Sequence, residues 1–503
     1  MHYLLNVLVW LPILGGLFVL LTGDDKNPSV SRYLSLFVVL MSLVLCGFLV
    51  WGFDHAATDM QFIQDVVWLS SFNLHYSLGI DGLSLLLIVL SVFTNLIVIL
   101  ATWNSIHQRV AQYFAAFLIM QGLLVGVFAA LDGIVFYIFW EATLIPMYLI
   151  IGIWGSSNRV YAAIKFFLYT FLGSVLMLAA FLYLAHLSGT FTISGWYPVQ
   201  LSMYAQTLIF IAFFLGFAIK IPMFPVHTWL PDAHTEAPAG GSIILAAILL
   251  KLGAYGFLRF ALPIVPDACH QYAMVMIVLS LIAVVYVGLV AMVQQDVKRL
   301  IAYSSISHMG FVSLGCFAIC LLTDPLQVHS AALLLEGAIV VMISHAFVSS
   351  AMFAGIGFLY DRLHTRQIKD FGGIVHRMPV FAMFYMLFAM ANAGLPGTSG
   401  FVGEFMIILG SMGAGFWVAF WAASTLIIGA AYTLWMYKRV IFGPVVHAHV
   451  EEIQDLTPHE MTAYALLALM VLGFGVYPQL MLNYLHPTTR MILTYAHQSK
   501  LPA

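Results

Sequence analysis

Windows of about 20 consecutive apolar residues, the length a helix needs to cross ~30 Å of hydrocarbon, recur along the whole 503-residue sequence. Fourteen can be read, near residues 3 to 22, 33 to 52, 83 to 103, 111 to 130, 133 to 153, 166 to 186, 205 to 224, 240 to 262, 273 to 294, 300 to 322, 331 to 358, 379 to 410, 415 to 436 and 461 to 482. The longest stretches between them, 53 to 82 and 437 to 460, are too short for a soluble domain. At 63% hydrophobic and 8% charged residues, against ~25% charged in ordinary soluble domains, the chain carries more apolar surface than a water-bathed globule can hide. The reading is an all-α integral membrane protein with 14 transmembrane helices. The first window lacks a basic leader and a small-residue cleavage site, so it reads as a retained span.

Net charge is only −3, and Lys and Arg form no run of four or more, so a nucleic acid finds nothing to hold. The basic residues that exist are distributed unevenly. Thirteen of the eighteen, among them Lys26, Arg109, Arg159, Lys298, Arg366 and Lys438, fall in loops after spans 1, 3, 5, 9, 11 and 13, and loops after even-numbered spans hold none. By the positive-inside rule the odd loops are cytoplasmic and both termini face outward. The loop after span 7 has no Lys or Arg and is placed by alternation alone. Cys46, Cys269, Cys316 and Cys320 lack metal-site spacing and read as small apolar fillers.

Ionised side chains cost ~3 kcal/mol each at a bilayer centre, which makes every intramembrane charge a functional candidate. Glu141 is the ninth residue of window 5 and Lys251 the twelfth of window 8, both near the midplane. Lys220 lies two residues before Pro222, and Glu404 eight after Pro396. His308 and His345 sit inside windows 10 and 11, and histidine titrates near neutral pH. The plainer alternatives are a buried salt bridge such as Glu141 with Lys220, and hydrogen-bonded packing histidines. Asp81 and Asp132 open their spans and read as helix caps, whereas Glu336 is left without a role.

Two windows are broken. Window 7 runs into IKIPMFPVHTWLPDAHTEAPAGG, and ANAGLPGTSGF cuts window 12. Proline removes a backbone donor, and unwound backbone at membrane depth survives only against protein or a hydrated cavity. Pro222 and Pro396 are 174 residues apart, each in the fourth span of a five-span block. An odd number of spans per block predicts two inverted five-helix repeats, spans 4–8 and 9–13, the arrangement that marks transport sites. The chain then divides into residues 1–110 (spans 1–3), 111–262 (first repeat), 263–436 (second repeat) and 437–503 (loop, span 14 and tail).

FYIFWEATLIPMYLIIGIWG, FAIKIPMFPVHTWLPDAHTEAPAGGSIILAAILLKLGAYG, RLIAYSSISHMG and NAGLPGTSGFVGEF resemble the antiporter-like membrane subunits of respiratory complex I, and among them the subunit M family of bacterial NADH-quinone oxidoreductase. The resemblance runs from span 1 to span 14. It implies that Glu141 pairs with Lys220, that Lys251 is a central proton relay, that His308 and His345 link it onward, and that Glu404 faces the exit. Glutamate at 404 fits subunit M, because the sister subunits L and N usually carry lysine there. The connection between His308 and His345 is longer than the family pattern and leaves Glu336 unaligned.

The resemblance further implies a bacterial inner membrane location, partner membrane-arm subunits including L and N and small membrane subunits, and proton translocation driven from a distance. No Gly-rich dinucleotide fingerprint, CxxC pattern or haem-type histidine pairing occurs, so NADH, FMN, iron–sulfur clusters and quinone are expected in partner subunits, with no cofactor in this chain. Two alternatives stay open: a subunit of a multisubunit sodium/proton antiporter, against which Glu404 stands, and a structural spacer that moves nothing, for which apolar helices would suffice.

Overall fold

A computed structural model describes residues 3–445 and 448–502. Among them, 13 helices are long and apolar enough to cross a membrane, and two shorter apolar helices, Pro379–Asn392 and Ser399–Ala414, share window 12. That is compatible with fourteen crossings. Several helices begin where the sequence provides a side-chain acceptor for their free N–H groups. Asp81 accepts from the amide of Ser84, Asp132 from those of Ile134 and Val135, and Asp296 from those of Lys298 and Arg299. Thr457 and Glu460 form a reciprocal capping box at the start of span 14.

The helices sort by burial. Ala239–Ile264 is wholly buried, and Gly82–Ala101, Val297–Leu321 and Val328–Leu363 nearly so, whereas Leu4–Thr22, Pro28–Trp51 and Pro458–Val476 have only about a third of their most apolar stretch buried. The buried four form the centre of the bundle, and three of them carry candidate residues. Span 8 is locally over-wide: π-helical turns at Leu245–Leu249 and Phe257–Ala261 bracket Lys251, and a third lies at Ala283–Val287 in span 9. Such turns cluster at functional sites.

Loops after odd-numbered spans gather on one face. Asp25 accepts from the amides of Arg109 and Val110, the hydroxyl of Ser105 donates to Asp361, and Arg362 pairs with Glu460 at 2.7 Å. Arg366 lies 3.4 Å from Asp296 and 3.9 Å from Glu236, and Glu236 also accepts from the amide of Asn158. These contacts place the loop after span 7, which has no basic residue of its own, on the basic face.

The opposite face carries what sequence periodicity missed. Gln61–Leu69 and Leu74–Ile80 pair as an antiparallel hairpin, turned through Asn73 in the left-handed region, and its edge continues through the bridges Leu78–Ala130 and Asp132–Thr192. The last window also ends early. Span 14 stops at Val476, and beyond Pro478 an amphipathic helix, Gln479–Ala496, runs over this face. It lies so close to the start of span 3 that a Cβ at Gly82 would fall 1.7 Å from the carbonyl oxygen of Tyr484. Glu336 acquires a partner here, with His486 at 2.7 Å and the Thr489 hydroxyl at 3.1 Å.

Candidate functional site

The central helices bring four predicted residues into one buried chain. The Lys251 ammonium donates to the carbonyl of Ala246 at 2.5 Å, in the π-helical turn before it, and lies 2.7 Å from Nδ1 of His345. The His345 ring stands 5.5 Å from that of His308, and Nδ1 of His308 meets Glu404 at 2.8 Å. All four residues are at most 6% exposed. Among the described residues the Lys251 ammonium contacts a carbonyl and an imidazole and no carboxylate. An ammonium left in that state is held far less firmly than one in a closed ion pair.

Geometry along the helices places these groups at a common level. Lys251 is the thirteenth of 26 residues in its helix, His308 the twelfth of 25 and His345 the eighteenth of 36. Glu404 is presented by the helix that restarts after the break in window 12, where Gly394 and Gly397 take positive φ and a Cβ on Gly394 would lie 3.1 Å from the Glu404 carboxylate. Between His308, Ser344, His345, Asn392 and Glu404 is a narrow cleft with about 10 Å³ for water centres, room for roughly one molecule.

The first half of the predicted pathway is more open. Lys220 ends the helix Met203–Lys220, immediately before the proline-rich break, and is fully buried. Among the described residues no ion pair within 4.0 Å joins it to Glu141. Its ammonium lies instead over the ring of Trp140 at 5.2 Å and near that of Phe166 at 5.9 Å, without a hydrogen-bond partner. One carboxylate oxygen of Glu141 is likewise buried and unpaired, in the kink at Thr143 between Gly133–Ala142 and Leu144–Trp154. The pair implied by the family resemblance is therefore not at ion-pair distance here, and the ammonium faces the Trp140 ring.

Two histidines escaped the sequence reading although both lie in the broken segment PVHTWLPDAH. His227 is buried with Nδ1 unpartnered, and His234 is fully buried with neither ring nitrogen bonded, stacked 4.4 Å above Phe353. Their signal was position: two histidines seven residues apart between Lys220 and Lys251. Among the described residues no cluster of three His, Cys, Asp or Glu side chains has the form of a metal site.

Residues 130–429 match the family described as NADH:quinone oxidoreductase/Mrp antiporter, TM. The chain is 44% identical over 515 residues to NADH-quinone oxidoreductase subunit M of Rhodobacter capsulatus, covering 99% of this chain and 98% of that one. Its fold superposes on a chain of respiratory complex I from Thermus thermophilus with a TM-score of 0.88 at 30% identity, over 98% and 99% of the two chains. A chain of the Mrp complex from Dietzia sp. shares the fold alone, at a TM-score of 0.80 and 21% identity, over 99% of this chain and 52% of that one. The chain thus belongs to the NADH:quinone oxidoreductase/Mrp antiporter transmembrane family, and the relative it matches end to end is a subunit M.

Proposed function

We propose that this chain is a proton-translocating subunit in the membrane arm of an NADH:quinone oxidoreductase of the complex I type. The observation that carries the reading is the continuous buried chain Lys251, His345, His308, Glu404. Each member gains or loses a proton without covalent rearrangement, and neighbours are in contact or one water apart. Glu141 and Lys220 form the input side. When the carboxylate approaches Lys220 it holds the ammonium form, and when a charge in a neighbouring subunit draws the carboxylate away the proton passes toward Lys251.

Redox chemistry belongs to partner subunits: NADH, FMN, iron–sulfur clusters and quinone act elsewhere, and this chain receives only their electrostatic consequence. Its partners are the other membrane-arm subunits, including the antiporter-like L and N, and the lipid bilayer of a bacterial inner membrane. The two five-span blocks, 111–262 and 263–436, are inverted copies that contribute the Lys251 and Glu404 ends of the path. The basic face is cytoplasmic, and the hairpin and both termini are outside.

Two measurements test this reading. Inverted membrane vesicles fed NADH acidify their interior equally well in sodium-free potassium buffer, and a strict sodium requirement at unchanged quinone reduction replaces the proton with sodium. Tags inserted between Asp361 and Met378 are reached only from the cytoplasm, and tags after Pro487 only from outside. Labelling of both from one side contradicts the orientation.

A further inference from the structure

The hairpin face holds a cavity of about 560 Å³ that the relay does not use. Asp65 and His75, paired at 2.9 Å, stand among the hairpin residues lining it, and Ser84, Tyr255 and Arg259 are its membrane-embedded lining. At this size it has room for several waters. Lys251, Tyr255 and Arg259 are spaced four apart on span 8 and so share one face of it. At 1.5 Å per residue Tyr255 lies only about 6 Å, and Arg259 about 12 Å, along the helix from Lys251. Besides the step sideways through His345, the direction along its own helix leads from Lys251 toward this cavity.

What lies in the second direction is a fixed cation. The Arg259 guanidinium is 3% exposed, donates from Nη2 to Asp81 at 2.6 Å and to the Ser84 hydroxyl at 3.4 Å, and from Nε to the Tyr255 hydroxyl at 3.3 Å. The Tyr255 hydroxyl donates in turn to the carbonyl of Phe128 at 3.2 Å, and the second oxygen of Asp81 is occupied by the Ser84 amide. Nη1 has no partner among the described residues. Arginine does not release its proton, so it cannot pass one on between the cavity and Lys251. Asp81 fixes the guanidinium in place, and Tyr255 fills the gap beside it.

We infer that Arg259, locked by Asp81 and Tyr255, is the barrier that closes the hairpin-face cavity against Lys251, so that a proton on Lys251 leaves only through His345, His308 and Glu404. The inference rests on the relay reading of Lys251. Without this barrier, protons at the hairpin face return through Lys251 and the gradient dissipates while electron transfer continues.

The test uses the whole complex in liposomes. Removing Arg259 alone would strand a buried carboxylate, so the variant is Arg259→Gln with Asp81→Asn, which keeps a side-chain acceptor at the cap. Quinone reduction is expected to stay within about twofold of wild type, while proton influx driven by a potassium diffusion potential, with no NADH present, rises about tenfold. Tyr255→Phe, which removes one hydroxyl, gives a smaller rise of the same kind and serves if the double variant does not assemble. Adding Lys251→Ala to either variant abolishes the extra influx. Wild-type tightness in the assembled variants overturns the barrier, and influx that survives Lys251→Ala shows that the barrier does not guard Lys251. Failure of the relay itself reads differently: Lys251→Ala alone would then pump normally.

Discussion

Lys251→Ala is expected to leave the complex assembled while quinone reduction and the membrane potential it builds each fall about tenfold or more, equivalent to at least ~1.4 kcal/mol on the slowest step. The side chain lies in a wholly buried span, yet its polar contacts among the described residues, the Ala246 carbonyl and Nδ1 of His345, include no carboxylate. Removing the ammonium therefore leaves no buried carboxylate stranded, which is the usual cause of collapse when half an ion pair is deleted. Alanine also keeps the helix, being the best helix former. Loss of the complex from membranes, seen on a native gel, would assign Lys251 a structural role. Lys251→Arg separates charge from proton exchange, because arginine preserves the first and hardly performs the second. It is expected to assemble and to pump as poorly as the alanine variant, and normal pumping by it would remove Lys251 from the path.

Glu141→Gln is expected to keep assembly and to lower quinone reduction and proton pumping together, by about fivefold to tenfold. Glutamine occupies the same kink at Thr143 and can hydrogen-bond, so packing persists. What disappears is a carboxylate whose field acts on Lys220, whose ammonium rests on the Trp140 ring. If the pair must close and open once per cycle, a neutral side chain stops the cycle at its first step. An assembled variant that pumps at the wild-type rate would return Glu141 to packing, and a variant that reduces quinone normally but pumps less would place it downstream of the coupling step.

Residues legible in the sequence were those whose meaning is local. Apolar windows, cap residues at Asp81 and Asp132, and the breaks near Pro222 and Pro396 all follow from length, donor count and backbone chemistry. Periodicity could not show the hairpin, because QFIQDVVWL does not alternate strictly and its turn, SSFN, lacks the Asn-Gly or Asp-Gly signature. Long-range partners were equally hidden. Glu336 had no role until His486, 150 positions away, was found beside it, and nothing in the sequence around Arg259 points to Asp81, 178 positions earlier. The Asp81 carboxylate does two things at once: one oxygen caps the helix, as its position implied, and the other holds a guanidinium, which no local rule could reveal.

The common level of Lys251, His308 and His345, each at the middle of its helix, has an electrical consequence. Moving one elementary charge across the full membrane potential requires about 2.3 kcal/mol per 100 mV, but a step between two groups at equal depth crosses almost none of that field. For protons moving along the proposed path, hops among the three residues are thus nearly free of electrical work. On that path the whole load falls on two vertical steps, from the cytoplasmic water up to Lys251 and from Glu404 out to the far side. A back-pressure of membrane potential therefore slows inlet and outlet first, and leaves the lateral hand-over at its unloaded rate.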